Sequence, residues 1–128
     1  MKITIVGLGY VGLSNAITLA QNNQVIALDV DSERVELINA KKSTVEDVDA
    51  DRLLKTVDLN LRGTLDIKDA FDAPDFVIIA TPTSYDLETN QFDTSSVISV
   101  IEQVATHAPE TTITVSYTHL TLPTTPYV

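Results

Sequence analysis

The sequence predicts an α/β domain built on a doubly wound parallel sheet, and three observations carry that expectation. Short β-branched apolar runs alternate with stretches of helical period over residues 1–115. The first run, Ile3 to Val6, passes directly into Gly7-Leu8-Gly9-Tyr10-Val11-Gly12, the G-x-G-x-x-G spacing, and then into a helical stripe of Leu13, Ala16, Ile17 and Ala20. A second run, Gln24 to Asp29, ends in an acidic residue about 17 positions beyond Gly12. A strand, a helix and a second strand joined in this way need a crossover, which makes the two strands parallel neighbours.

Each glycine of the turn has a physical task. Gly7 allows the sharp exit from the strand, Gly9 has no Cβ to hold a diphosphate off the backbone, and Gly12 lets the helix approach the sheet closely. The free N–H groups and the positive end of the helix dipole, including the amides of Tyr10 and Val11, then face an anion. Asp29 is the expected ligand of the adenosine ribose, since a carboxylate accepts hydrogen bonds from both hydroxyls of the diol. The same carboxylate repels the 2′-phosphate of NADP and favours NAD. Arg34 is the counter-signal, because it could meet that phosphate or flank the adenosine of NAD.

Further along, Asp31 caps an expected helix to about Ala40, with Val35 and Ile38 inward and Glu33 and Glu36 outward. Residues 43–56 are acidic, with Val48, Leu53 and Leu54 as sparse anchors, and read as a loop followed by a short surface helix. The acids match no calcium-loop spacing, and no metal site is expected. Leu59, Leu61, Gly63 and Leu65 alternate with polar residues, so Asp58 to Thr64 is the third strand. Asp66 caps a short helix through Phe71, which Ala73-Pro74 stops.

Phe76-Val77-Ile78-Ile79-Ala80 is the most apolar run and fits a central strand covered on both faces. Thr81-Pro82-Thr83 ends it on the side where ligands bind in doubly wound sheets, so these three residues join the expected cofactor contacts. Ser84 to Phe92 reads as a polar loop. Asp93 and Thr94 to Ser96 then start a helix whose Val97, Val100, Ile101, Val104 and Ala108 form one stripe, with Pro109 near its end. Thr111 to Val115 is the fifth strand. The expected architecture is a Rossmann-type sheet in the order 3-2-1-4-5, incomplete at its C-terminal edge.

The length of 128 residues allows one domain with a real core, yet is short for a dinucleotide-dependent enzyme with its own substrate site. Eighteen acidic against eight basic residues give a formal charge of −10, which disfavours nucleic acid and anionic membranes as partners. The absence of cysteine excludes disulfides, thiolate metal sites and a cysteine nucleophile within these residues. The apolar start is only a strand long and no run approaches membrane-spanning length, so a cytoplasmic protein is expected.

The last 13 residues, Ser116 to Val128, keep no helical or strand period, and no charged residue occurs from Thr111 onward. Val-Ser-Tyr-Thr-His-Leu-Thr-Leu-Pro-Thr resembles a translated sequencing adapter, so residues 1–115 are read as the domain and 116–128 as a non-native or disordered tail. His119, within it, is not taken as catalytic.

Residues 1–115 resemble the N-terminal domain of the nucleotide-sugar dehydrogenase family, in its UDP-glucose 6-dehydrogenase branch. Three blocks carry the resemblance: Met1-Lys2-Ile3 to Val11-Gly12-Leu13-Ser14, Ala27-Leu28-Asp29-Val30-Asp31, and Ile78-Ile79-Ala80-Thr81-Pro82-Thr83 with Tyr85-Asp86 and Phe92-Asp93-Thr94-Ser95-Ser96. The resemblance implies that Val11 and the glycine turn meet the diphosphate, that Asp29 and Arg34 bind the adenosine end, and that Thr83 approaches the nicotinamide half. The Tyr10 side chain is read as packing more than as a ligand. Where the family has proline after the Lys-Ser of the loop before its acidic helix, this chain has Thr44. Where the family continues its fifth strand into Lys-Ser-Thr-Ile-Pro, this chain has Ser116-Tyr117-Thr118-His119-Leu120, and no role is carried to Thr118.

The resemblance further implies oxidation of the sugar C6 alcohol to a carboxylate by two hydride transfers to NAD, through a thioester on a cysteine helped by a lysine and an aspartate. Those residues belong to a part absent from this sequence. The chain is therefore expected to bind NAD without turnover, to meet UDP-glucose only in a full-length protein, and to form a homodimer there. Two other readings stay open: a stand-alone dinucleotide-binding or sensing module, and another oxidoreductase of the same fold, such as a hydroxyacyl dehydrogenase.

Overall fold

The structure is a computed structural model that describes residues 1–80, 84–86, 91–93, 95–108 and 110–115. In chain order the elements are β1 (Lys2–Val6), α1 (Tyr10–Ala20), β2 (Gln24–Leu28), α2 (Ser32–Asn39), α3 (Val48–Thr56), β3 (Leu61–Thr64), α4 (Ile67–Ala70), β4 (Phe76–Ile79), β5 (Ser84–Asp86), β6 (Gln91–Asp93), α5 (Ser95–His107) and β7 (Thr112–Val115). Five strands form a parallel sheet in the order β3-β2-β1-β4-β7, so the sheet has the expected 3-2-1-4-5 arrangement.

The period of two along each strand sorts the core into two layers. Ile3 and Ile5 of β1 with Val25 and Ala27 of β2 face α1, α2 and α3, where they meet Leu13, Ala16, Ile17, Ile38 and Leu54. Val6, Ile26, Leu28, Val77 and Ile79 face the other way, onto Phe71 of the α4 end and Val100 and Val104 of α5. Helices on both faces explain why β1 and β4 read as continuous apolar runs. Thr4 is the polar exception, fully buried, and its hydroxyl donates to the Ala70 carbonyl. That bond satisfies both groups in the core.

Three helices carry aspartate caps, those of Asp31 and Asp66 expected and that of Asp47 not. Asp31, Asp47 and Asp66 accept hydrogen bonds from the N–H groups of Glu33, Ala50 and Lys68. Gly63 allows α2 onto β3, since a Cβ there would lie 3.3 Å from Val35.

Several expectations need correction. Residues 84–92, read as a polar loop, contain an antiparallel pair in which Tyr85 stands opposite Phe92. Strands of three residues are too short to display a period. Asp93 therefore belongs to β6 and α5 begins at Ser95. Val48, expected as an anchor of α3, is 86% exposed because it occupies the first helical position; Leu54 is buried as expected, with Leu53 packed beside it, and Ala50 takes the place of Val48. The third strand starts at Leu61, and Leu65 beyond it is half exposed. Thr81, Pro82, Thr83, Thr94, Pro109 and the tail 116–128 lie outside the described residues. No helix among the described residues is long and apolar enough to cross a membrane.

Candidate cofactor site at the glycine turn

The chain leaves β1 at the middle of the sheet, where the strand order reverses between β1 and β4. Gly7 takes a φ of 101°, in the left-handed region that a side chain disfavours. Its N–H donates to the Leu28 carbonyl at 2.8 Å, and the N–H of Ala80 donates to Val6 at 2.8 Å, so the turn sits between the carboxyl ends of β2 and β4. This is the crevice in which doubly wound sheets hold ligands. Thr81, Pro82 and Thr83 follow Ala80 directly in sequence.

Gly12 permits the closeness of α1. A Cβ on it would lie 1.8 Å from the Gly7 carbonyl oxygen, far inside any tolerable contact. Gly9 is different, because a Cβ there would meet nothing within 4 Å. The space beside Gly9 is open, and filling it costs the unliganded protein nothing.

Gly9 is the N-cap of α1, and no side chain caps that helix. Its first turn carries no acidic residue, in contrast to the three aspartate-capped helices. Among the described residues the N–H groups of Gly9, Tyr10, Val11 and Gly12 find no acceptor. Four unpaired donors at the positive end of a helix form a cradle for an anion. The Tyr10 side chain, expected to pack, is instead 63% exposed.

Asp29 stands directly against this turn, just past the end of β2. One carboxylate oxygen accepts from the Leu8 N–H at 2.8 Å and the other from the Asp31 N–H at 2.9 Å, while the residue is 8% exposed. A carboxylate has about four lone-pair sites, so two backbone donors leave capacity for two hydroxyls. Arg34 lies 3.7 Å from Asp29 and 4.0 Å from Asp31, and its charge is thus already partly answered by two aspartates. Asp29 lies beside the turn, as its spacing predicts; its bond to the Leu8 amide was not foreseen.

A cleft of about 560 Å³ adjoins Asp29 and Arg34. Val30, Leu65 and Ile67 give it an apolar wall, and Gln103 of α5 is a polar edge. Val30 is fully exposed and Leu65 52% exposed, so both leave apolar surface at this cleft. Neither was singled out by sequence, because a strand-end valine and leucine look like ordinary core. Two other hollows, of about 630 and 830 Å³, lie at the amino ends of the strands, beside Asp75, and away from the turn.

The unpaired amides, the open side of Gly9, the half-used Asp29 carboxylate and the adjoining apolar cleft suit in turn a diphosphate, a ribose diol and an adenine ring. The family model for the UDP-glucose/GDP-mannose dehydrogenase family, NAD binding domain, matches residues 1–125. A UDP-glucose 6-dehydrogenase of Streptococcus pneumoniae is 43% identical over 118 residues, covering 92% of this chain and 30% of that protein. Another, of Campylobacter jejuni, is 42% identical over 106 residues, covering 81% of this chain and 27% of its own length. The crystal structure of a GDP-mannose dehydrogenase from Pseudomonas aeruginosa is similar with a TM-score of 0.80 at 30% identity, covering 90% of this chain and 28% of that one. This chain spans less than a third of the length of these relatives. It belongs to the UDP-glucose/GDP-mannose dehydrogenase family, and residues 1–125 match that family's NAD-binding domain.

Proposed function

We propose that the chain is the cofactor-binding portion of a UDP-glucose 6-dehydrogenase, with NAD held across the glycine turn. The full enzyme oxidises the C6 alcohol of UDP-glucose to a carboxylate, two NAD each taking one hydride and water supplying the second carboxylate oxygen. The observation that carries the cofactor assignment is the Asp29 carboxylate, hydrogen-bonded to the Leu8 amide beside four N–H groups that find no acceptor among the described residues. The choice of sugar nucleotide rests on identity: 43% and 42% to UDP-glucose 6-dehydrogenases, against 41% or less to GDP-mannose 6-dehydrogenases over a shorter match.

In this reading the amides of Gly9, Tyr10, Val11 and Gly12 bind the diphosphate, and Gly7 and Gly12 shape the turn that presents them. Asp29 takes the adenosine ribose hydroxyls, Arg34 flanks the adenosine, and Val30 and Leu65 cover the ring. Thr81, Pro82 and Thr83 approach the nicotinamide half. NAD, when bound, supplies the hydride acceptor. The domain ends near residue 115, and a cytoplasmic location and a homodimer of the full-length enzyme belong to the same reading.

Calorimetric titration with NAD and NADP tests the cofactor assignment. NAD should bind, NADP should bind far more weakly because of Asp29, and Asp29→Ala should lose NAD while circular dichroism confirms that it is folded. A wild-type chain that binds neither cofactor refutes the assignment. Assay of the full-length protein in which this chain occurs tests the substrate: NADH should form with UDP-glucose and not with GDP-mannose.

A further inference from the structure

The turn is fixed by more than glycines. The Leu8 side chain is fully buried in the cluster with Leu13, Ile38 and Leu54, and its N–H is taken by Asp29 at 2.8 Å. Its carbonyl is the one remaining handle on that residue. It accepts a hydrogen bond from the Thr44 hydroxyl at 2.5 Å, across 36 positions of sequence.

We propose that Thr44 is a positioning residue for the diphosphate site, its hydroxyl holding the Leu8 carbonyl so that the Gly9 N–H is aimed at the cofactor. The proposal rests on the cofactor reading above. Its physical basis is the planarity of the peptide bond. The Leu8 carbonyl and the Gly9 N–H belong to one unit, no peptide in the described chain is cis, and the two groups of a trans unit point in opposite directions. Drawing the carbonyl toward residues 43–45 therefore turns the Gly9 N–H away from them. That N–H has no acceptor among the described residues and is the first of the unpaired row. Without the anchor, rotation of this one unit would withdraw a donor from the row and bring a carbonyl oxygen toward the anion.

The donor is itself held in place. The Ser43 N–H donates to Asp51 of α3 at 3.1 Å, and the Ser43 hydroxyl donates to the Val45 carbonyl at 2.6 Å. Helix α3 packs its Ala50 and Leu54 into the same cluster as Leu8. Thr44 thus reaches the turn from a segment braced against the same core, and its reach is short and definite.

The test compares NAD with adenosine, which shares the ribose and adenine but has no phosphate, on the full 128-residue chain. Thr44→Val removes the hydroxyl at nearly constant volume. It should weaken NAD binding by roughly five- to tenfold, the loss expected for one oriented hydrogen bond. Adenosine affinity should be unchanged, and Thr44→Ser should restore NAD binding. Thr44→Ala carries the same comparison if the valine variant does not fold. Equal NAD affinity in wild type and the hydroxyl-free variant overturns the proposal, as does a parallel loss of NAD and adenosine, which marks a merely structural contact. Wild type that fails to bind NAD overturns the cofactor reading and this proposal with it; wild type that binds while the variant binds equally well overturns this proposal alone.

Discussion

Adding a single methyl group at Gly9 should leave the fold intact and weaken cofactor binding, whereas the same methyl at Gly12 should damage the fold itself. At Gly9 the φ is −78°, which any residue tolerates, and the new Cβ meets nothing within 4 Å. Stability of Gly9→Ala should be unchanged or higher by about 0.4–1 kcal/mol, because alanine restricts the unfolded chain. The methyl group would occupy the space assigned to the diphosphate, and an overlap of that size costs about 1–3 kcal/mol, or roughly five- to 150-fold in affinity. At Gly12 the Cβ would stand 1.8 Å from the Gly7 oxygen, so α1 must lift from the sheet or the turn must open. The gain in helix propensity, about 1 kcal/mol, does not offset a backbone clash, and Gly12→Ala should lose at least about 2 kcal/mol net. Urea unfolding monitored by circular dichroism, paired with calorimetric NAD titration of each variant, separates the two effects. Gly9→Ala binding NAD as wild type does, or unfolding like Gly12→Ala, would refute the reasoning.

Three further outcomes follow from other contacts. Thr4→Val keeps the shape of the side chain but leaves the Ala70 carbonyl without its buried donor, and should cost about 1–3 kcal/mol in urea unfolding. The Lys55 side chain and then the Ser43 N–H, both donating to Asp51, hold its carboxyl below the ordinary value of 3.8. The carboxylate therefore contributes stability above that value and loses it as pH falls through the lower folded value; Asp51→Asn should melt below wild type at pH 7, and the gap should close as the pH falls below the lowered value. Arg62 likewise lowers the carboxyl of Asp69, and the pair is half exposed, so Arg62→Ala should cost no more than about 0.5–1 kcal/mol and less at high salt.

Most of the sheet was legible because two periods agreed with the punctuation around them. The sharp turn at Gly7 and the close helix approach at Gly12 were readable because a strand precedes them and a helix follows, and the order 3-2-1-4-5 followed from the crossover rule. The hairpin at residues 84–93 was not, since three-residue strands carry no period and their pairing is settled by partners distant from local sequence. Val48 misled because an apolar residue at a helix start can face outward as easily as inward. At the site, Asp29 was found by spacing, while its bond to Leu8 depends on a sub-ångström placement that spacing does not encode. Thr44 was visible only as a departure from the proline of the resembling family. Its partner is 36 residues away, and nothing in either stretch announces the contact.

The burial of Leu8 has a consequence for how the site is lost. Because the residue at the heart of the bend is also a brick of the interior, the bend has no melting transition of its own, and its amide should exchange with solvent only when the entire sheet comes apart. Anything that grips the bend then acts as a brace for the whole body, delaying collapse in proportion to how far its concentration exceeds its dissociation constant.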